Sequence, residues 1–419
     1  MSIILPNSNP IFNQNIIFSF SQNVIDMNTL NLIFFQNRCP FFPLMQQNYT
    51  NEAIDFMKVY KYLQQMALNI VNILPQSLPL LKQQDTFNKI ELTRRQVALI
   101  FLLSFFGVLP ENLHNKLNNF KVSEVLFSTG GIKFEFARSF LNYLTTIGYW
   151  LSYNDPILEE KVIYVREFIN RNTWIFENMN FIKLCPVNFQ INGSLFDGNA
   201  SYCVDFANKK IGGGTLNGGC VQEEILFATE PECVVAMLFM EEMGDCDGIG
   251  IFNTIRYSNY QGYKNSFNYN GNCVLGYNQI KKHRIIAIDA DNKDKKINMA
   301  DNNTYQNIIN RDIYKALAGF YLINFENNFE KSIATGNWGC GIFEGIHELK
   351  FIQQWIAASF AGVQRLDYYT FNNVEMGNAI KFCNFIKDKF VTATNLYRAL
   401  IYNRLDVNNL IQSLVNGQF

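Results

Sequence analysis

The chain has 419 residues, 48% of them hydrophobic and 17% charged, which is the composition of a protein with a sizeable core and excludes disorder over most of its length. A balance of 35 basic and 36 acidic side chains gives a net charge of −1, so an anionic ligand has to be held by local geometry and not by a bulk positive field. Nine cysteines without a CxxC pair read as reduced thiols of an intracellular protein, nuclear or cytoplasmic, and only three histidines are present, His114, His283 and His347. They stand far apart and none is at zinc spacing, which disfavours a structural zinc, an HExxH site or a Ser-His-Asp centre. Carboxylates, backbone amides and aromatic rings are left to carry any chemistry.

The first residues, Met1–Pro10, have no basic stretch and too little apolar length for a signal peptide. Helical spacing then recurs over Ala53–Asn72, Leu92–Phe106, Val122–Thr146 and Glu159–Asn178. The most apolar window, Val97–Leu109, is too short for a bilayer, which needs about 20 residues. It follows Thr93-Arg94-Arg95-Gln96, a capping box, and reads as a buried helix. The region up to residue 185 is therefore expected to be an all-α domain without catalytic chemistry.

From Pro186 onward, short β-rich runs alternate with helical ones. Strands are expected at Val187–Ile191, Tyr202–Phe206, Gly248–Thr254, Arg284–Ile288, Lys331–Thr335 and Leu366–Phe371. Helices are expected at Gln222–Thr229, Pro231–Met240, Tyr305–Phe320, His347–Ala361 and Asn372–Lys387, and Asp291–Asn303 as a loop. Alternation of this kind predicts a layered α/β domain with a mostly parallel sheet, whose ligands sit beyond the carboxyl ends of the strands.

Two glycine loops lie where such ligands bind. Ile211–Cys220 (IGGGTLNGGC) runs into Val221-Gln222-Glu223-Glu224, and Gly336–Gly341 (GNWGCG) precedes the helix from His347. Consecutive glycines let backbone amides approach an anion, although no Gly-Lys-Ser/Thr closes either loop as a P-loop would. Two acids in a first helical turn also offset the helix dipole, the plain structural reason for finding them there. Adjacent helical residues diverge by about 100°, so Glu223 and Glu224 cannot flank one bond from opposite sides. One can act as acid/base while the other binds a hydroxyl. Asp205 and Asn208 close the preceding strand, as sugar-binding groups or as a simple turn, and Tyr257, Tyr260, Tyr263, Tyr368, Tyr369 and Phe371 offer rings either to a base or to the core.

Taken together these segments resemble poly(ADP-ribose) glycohydrolase. That family's signature, GGG then six to eight residues then QEE, is met by Gly212-Gly213-Gly214, then TLNGGCV, then Gln222-Glu223-Glu224; VDFAN, YSNYQGY and TGNWGCGIF add to the likeness across about residues 186–380. The resemblance implies an α/β macrodomain, a mixed sheet flanked by helices, over 186–419, preceded by the helical accessory domain over 1–185 that longer, animal-type members carry. It implies hydrolysis of the ribose–ribose O-glycosidic bonds of poly(ADP-ribose) to ADP-ribose, by a monomer that needs no cofactor, no metal and no membrane. By motif position Glu224 would be the acid/base, Glu223 and Asn208 would hold ribose hydroxyls, and Asp205 would support the loop. Gly212, Gly213 and Gly214, with Gly339, Cys340, Gly341, Ile342 and Phe343, would line the diphosphate. Tyr263 and Phe371 would pack on adenine and its ribose, and Gln222 would reach the adenine edge. Phe196 would replace an acidic residue that the family uses near adenine, since Ser194–Asp197 is one residue short. The alternative is a macrodomain that binds ADP-ribose without cleaving it, which needs no acid at the distal ribose. A dinucleotide-binding enzyme predicts GxGxxG after the first strand, a pattern missing here.

Overall fold

The structure is a computed structural model that describes residues 2–5, 10–110, 114–179, 181–274, 280–291, 301–374, 376–386, 389–403 and 410. Strands β1 (Ser2–Ile4) and β2 (Ser77–Pro79) pair with each other. In chain order there follow β3 (Asn88–Thr93), β4 (Lys161–Phe168), β5 (Val187–Gln190), β6 (Tyr202–Ala207), β7 (Asp247–Ile255), β8 (Ser258–Gln261), β9 (Asn268–Asn272), β10 (Lys282–Asp289), β11 (Ser332–Gly336) and β12 (Arg365–Tyr369). β8 and β9 form a separate hairpin. The others make one sheet in the order β3-β4-β7-β10-β6-β11-β12-β5. β10, β6, β11, β12 and β5 run parallel, so their carboxyl ends share one edge; β3, β4 and β7 pair antiparallel.

Side chains alternate between two cores, as a period of two demands. Ile285 and Ala287 of β10 face the helical region and the helix Gln222–Thr229, while Ile286 and Ile288 face the helices Asn302–Tyr321 and His347–Ala361. The apolar helix Arg94–Phe105 is buried from Val97 onward and begins at the predicted capping box: Gln96 N donates to Thr93 Oγ1 at 3.2 Å, and Thr93 N donates to Gln96 Oε1 at 2.9 Å.

Several elements differ from the sequence reading. The expected helix over Val122–Thr146 breaks at Gly130–Gly131 into a 3-10 turn, Val122–Phe127, and a helix, Gly131–Ser152; Gly131 sits at φ 69°, outside the helical region for an L residue. Pro231–Leu238 is a 3-10 helix. The last predicted helix starts only at Met376, because Phe371 and Asn372 hold positive φ of 52° and 58°. Most of the loop expected at Asp291–Asn303 lies outside the described residues, and Asn302 and Asn303 already belong to a helix.

The largest departure is Glu159–Asn178, which is not a helix. Its centre is β4, inserted between β3 and β7. Val162, Tyr164 and Val165 are buried, and β-branched and aromatic residues packed on both faces favour a strand. The region before residue 185 is thus not all helical: it supplies two strands to the sheet that carries the site. Arg94 fastens this junction. Wholly buried, it reaches Glu232 at 2.6 Å and the carbonyl oxygen of Asn253 at 2.6 Å.

Candidate active site

The loops after β6, β10, β11 and β12 wall a cavity of about 720 Å³ at the carboxyl edge of the parallel strands. Asn208, Ala290, the segment Asn337–Phe343 and Phe371 line it from those loops. Ligand sites of about 300–1,000 Å³ are usual for small molecules and cofactors. Of the residues singled out in the sequence, Phe196, Asn208, Gln222, Glu223, Glu224, Tyr260, Tyr263, Gly339, Cys340, Gly341, Ile342, Phe343 and Phe371 line this cavity.

Gly212, Gly213, Gly214 and Asp205 do not line it. The triple glycine holds carboxylates in place of a diphosphate. Gly212 N donates to Glu223 Oε1 at 2.6 Å, Gly214 N donates to Glu224 Oε1 at 2.9 Å, and Gly213 N turns back to the Lys210 carbonyl at 3.1 Å. Glu223 Oε2 also accepts from Asn208 N at 2.8 Å, and Glu224 Oε2 from Val221 N at 2.8 Å. Each carboxylate is therefore locked by two backbone donors, and the pair meets over Gly213. A Cβ there would lie 2.6 Å from Glu223 Oε2 and 2.6 Å from Glu224 Oε1, and φ is 45°. Only glycine fits, so the glycines serve the approach of the acids and not that of an anionic ligand.

Asp205 lies beneath, fully buried, with neither carboxyl oxygen in a hydrogen bond. It does not tie down the glycine loop. Burial, then the nearby Glu224 charge, pushes its pKa well up. Burial, then the Asp205 charge, raises Glu223 as well, against the lowering effect of its two backbone donors. Two neighbouring buried acids raised in this way retain a proton where isolated carboxyls would lose it.

Gln222 also departs from expectation. Its Oε1 accepts from Phe206 N at 2.8 Å and its Nε2 donates to the Val204 carbonyl at 3.1 Å. β6 pairs with β11 only at Tyr202 and Cys203. Beyond that point the Gln222 amide takes the place of a neighbouring strand, so it is committed to the backbone and not to a ligand edge.

The aromatic residues divide. Tyr263 and Phe371 are half exposed, at 51% and 49%, and face the cavity; Phe196 joins them, half-buried. Tyr257, Tyr368 and Tyr369 are core residues, and Tyr257 Oη donates to Glu232 at 2.7 Å. Phe371 holds its ring from a left-handed backbone position, strain of the kind that gathers at ligand sites.

Some lining residues escaped the sequence reading. Arg256 pairs with Asp197 at 2.8 Å and stacks its guanidinium 5.3 Å from the Tyr260 ring. Asn337 donates to the Thr370 carbonyl at 3.1 Å, clamping the β11 loop to the β12 loop, and the Trp338 indole donates to the Ile288 carbonyl at 3.0 Å. Arg256 opens the tyrosine-rich RYSNYQGY run, and Asn337 and Trp338 stand in the GNWGCG loop, so the sequence marked the segments but not these side chains.

Comparison with known proteins gives a consistent family. A family model described as poly(ADP-ribose) glycohydrolase, helical domain, matches residues 47–166, and one described as poly(ADP-ribose) glycohydrolase, Macro domain fold, matches residues 175–378. The chain is 27% identical over 370 residues to probable poly(ADP-ribose) glycohydrolase 2 of Arabidopsis thaliana, covering 74% of this chain and 68% of that one. It is 34% identical over 185 residues to poly(ADP-ribose) glycohydrolase 2 of Caenorhabditis elegans, covering 41% and 38%. It thus spans about two thirds of the first and well under half of the second. A solved poly(ADP-ribose) glycohydrolase from Deinococcus radiodurans in complex with ADP-ribose aligns at 12% identity over 50% of this chain and 87% of that one, with a TM-score of 0.33.

Proposed function

Because this chain belongs to the poly(ADP-ribose) glycohydrolase family, we propose that it hydrolyses the ribose–ribose O-glycosidic bonds of poly(ADP-ribose) and releases ADP-ribose. The observation that carries this reading is the Glu224 carboxylate, held by Gly214 N and Val221 N on the wall of a nucleotide-sized cavity. A pure binder of ADP-ribose has no use for an acid fixed in this way.

In the proposed reaction Glu224 gives its proton to the ribose oxygen that leaves, as the bond from that oxygen to C1″ breaks. Water then adds to the oxocarbenium-like C1″ and returns a proton to Glu224, so one carboxyl serves both steps. Glu223 keeps lone pairs beyond its two N–H donors and holds a ribose hydroxyl with Asn208. Asp205, buried beneath the acids with its pKa raised by burial and the Glu224 charge, keeps its proton and so spares the site a further negative charge. Gly339–Phe343 receive the diphosphate; Gly212–Gly214 act one step removed, by placing the carboxylates. Tyr263 and Phe371 take the adenine and its ribose, with Phe196 beside them.

The test is Glu224→Gln. Release of ADP-ribose from polymer is expected to fall by about 10²–10⁴-fold, while ADP-ribose affinity stays close to that of the unaltered protein. Release within about tenfold of the unaltered rate removes Glu224 from the acid/base role, since that lies below the usual general acid–base contribution. An unaltered protein that binds ADP-ribose but releases none from polymer is a reader.

A further inference from the structure

We propose that the polymer continues from the cleaved bond onto a basic surface built by the helical region, which leads to a second groove that takes the phosphates of neighbouring ADP-ribose units. This rests on the hydrolase reading above. Each unit of the polymer carries two phosphates, so a bound chain is a regularly charged polyanion. The cavity offers it acids at the scissile end: Glu223 and Glu224 line the wall and Asp205 lies beneath. A net charge of −1 gives no general attraction. Any grip on the rest of the polymer has to come from local cations.

Such cations stand immediately behind the catalytic loop. A Cβ on Gly219 would lie 3.0 Å from Glu224 Oε1, and one on Gly218 would lie 3.6 Å from both Cγ and Cε of Lys133. Lys133 thus flanks Glu224 across a turn of two glycines. No carboxylate among the described residues forms an ion pair with it. On the same loop, Lys210 receives Gly213 N at its carbonyl and extends its ammonium to the Asn115 carbonyl at 2.6 Å.

Asn115 lies between His114 and Lys116, and these two with Lys82 line a groove of about 350 Å³ in which Glu241 is the one acidic residue among the described lining residues. The groove is preorganised. Leu81 N donates to the Phe239 carbonyl at 2.9 Å, Glu242 N donates to the Lys116 carbonyl at 2.7 Å, and Gln83 N donates to Glu241 at 3.3 Å. A line of lysines from beside the acid/base to a fixed polar groove suits a phosphate-bearing chain, and it suits neither an apolar ligand nor a single sugar. It also gives the helical region a part in substrate binding.

The experiment uses the full chain with Lys82 and Lys116 reversed together (Lys82→Glu, Lys116→Glu), and separately Lys133→Glu. Affinity for long-chain poly(ADP-ribose) is titrated beside affinity for ADP-ribose at several salt concentrations, together with KM and kcat on long chains. The expected result is a loss of about tenfold in polymer affinity, with a shallower salt dependence, since fewer counterions are released. For the Lys82/Lys116 reversal, ADP-ribose affinity and kcat should not move. Unchanged polymer affinity, or an equal loss for polymer and ADP-ribose, overturns the proposal. So does competition by single-stranded DNA of equal charge as effective as that of polymer itself. The neutral pair Lys82→Gln, Lys116→Gln should show a smaller loss in the same direction. The unaltered protein keeps the two readings apart: polymer binding without ADP-ribose release refutes the hydrolase alone.

Discussion

Glu223 and Glu232 lie on consecutive helical segments, both buried, in opposite company. Glu232 has a cation: Arg94 at 2.6 Å, with Tyr257 Oη at 2.7 Å and Ile255 N at 3.0 Å. Glu223 has only neutral amides, and its charged neighbours are the acids Asp205 and Glu224. A buried acid with its counter-charge joins two parts of the fold. A buried acid placed among other acids, on a cavity wall, has its pKa raised and no counter-charge to make it structural, which marks a candidate functional group.

The contrast can be tested from each side. Arg94→Met leaves Glu232 buried without its cation, and about 3–5 kcal/mol of stability should be lost in denaturant unfolding. The rate of ADP-ribose release per folded molecule should stay unchanged; a fall in rate at full stability would put Glu232 in the active site. Gly213→Ala drives a methyl group against both catalytic-side carboxylates, and displacing them should lower polymer hydrolysis by about 10²-fold with little loss of ADP-ribose binding. Wild-type turnover in that variant would show that the glycine cradle is dispensable.

Tyr263→Ala should weaken ADP-ribose by about 1–3 kcal/mol, measured by calorimetry, through loss of a stacking face. An unaltered affinity would remove the ring from the adenine site. The smallest effect is in pH dependence. Asp205 has its folded pKa raised above the ordinary aspartate value of 3.8, so the native state binds more protons than the unfolded chain. Its stabilising contribution is complete below 3.8 and is lost as pH rises through the folded value. Glu167, raised by burial to about 7, adds a decline of its own between 4.5 and about 7. Asp205→Asn should flatten the fall of unfolding free energy with rising pH, without removing the share of Glu167; an unchanged slope would mean Asp205 is ionised in the fold.

The α/β half was readable in the sequence because its strands are short runs bounded by glycine and polar turns, and its helices His347–Ala361 and Gln222–Thr229 fall where periodicity puts them. The glycine loop and its two acids stand out in the sequence, but the pattern alone does not choose between Glu223 and Glu224; only the family resemblance singles out Glu224. What failed depended on distant partners. Local periodicity reads β4 as a helix because it does not reveal that β3 and β7 wait on either side. The family resemblance points the amide of Gln222 at a ligand because the gap where β6 parts from β11 exists only in three dimensions. The glycine amides read as a phosphate cradle because nothing local shows that the next helix bends its own carboxylates back onto them.

The sheet also crosses the line between the two family models. β3 and β4 as far as Arg166 fall within 47–166, while β7 falls within 175–378 and pairs with β4 from Asp247 to Phe252. A fragment cut to the second unit alone would bare a long, largely apolar strand edge whose backbone donors and acceptors look for another chain. Dividing this protein at its apparent seam should therefore produce a self-associating fragment and not a minimal enzyme.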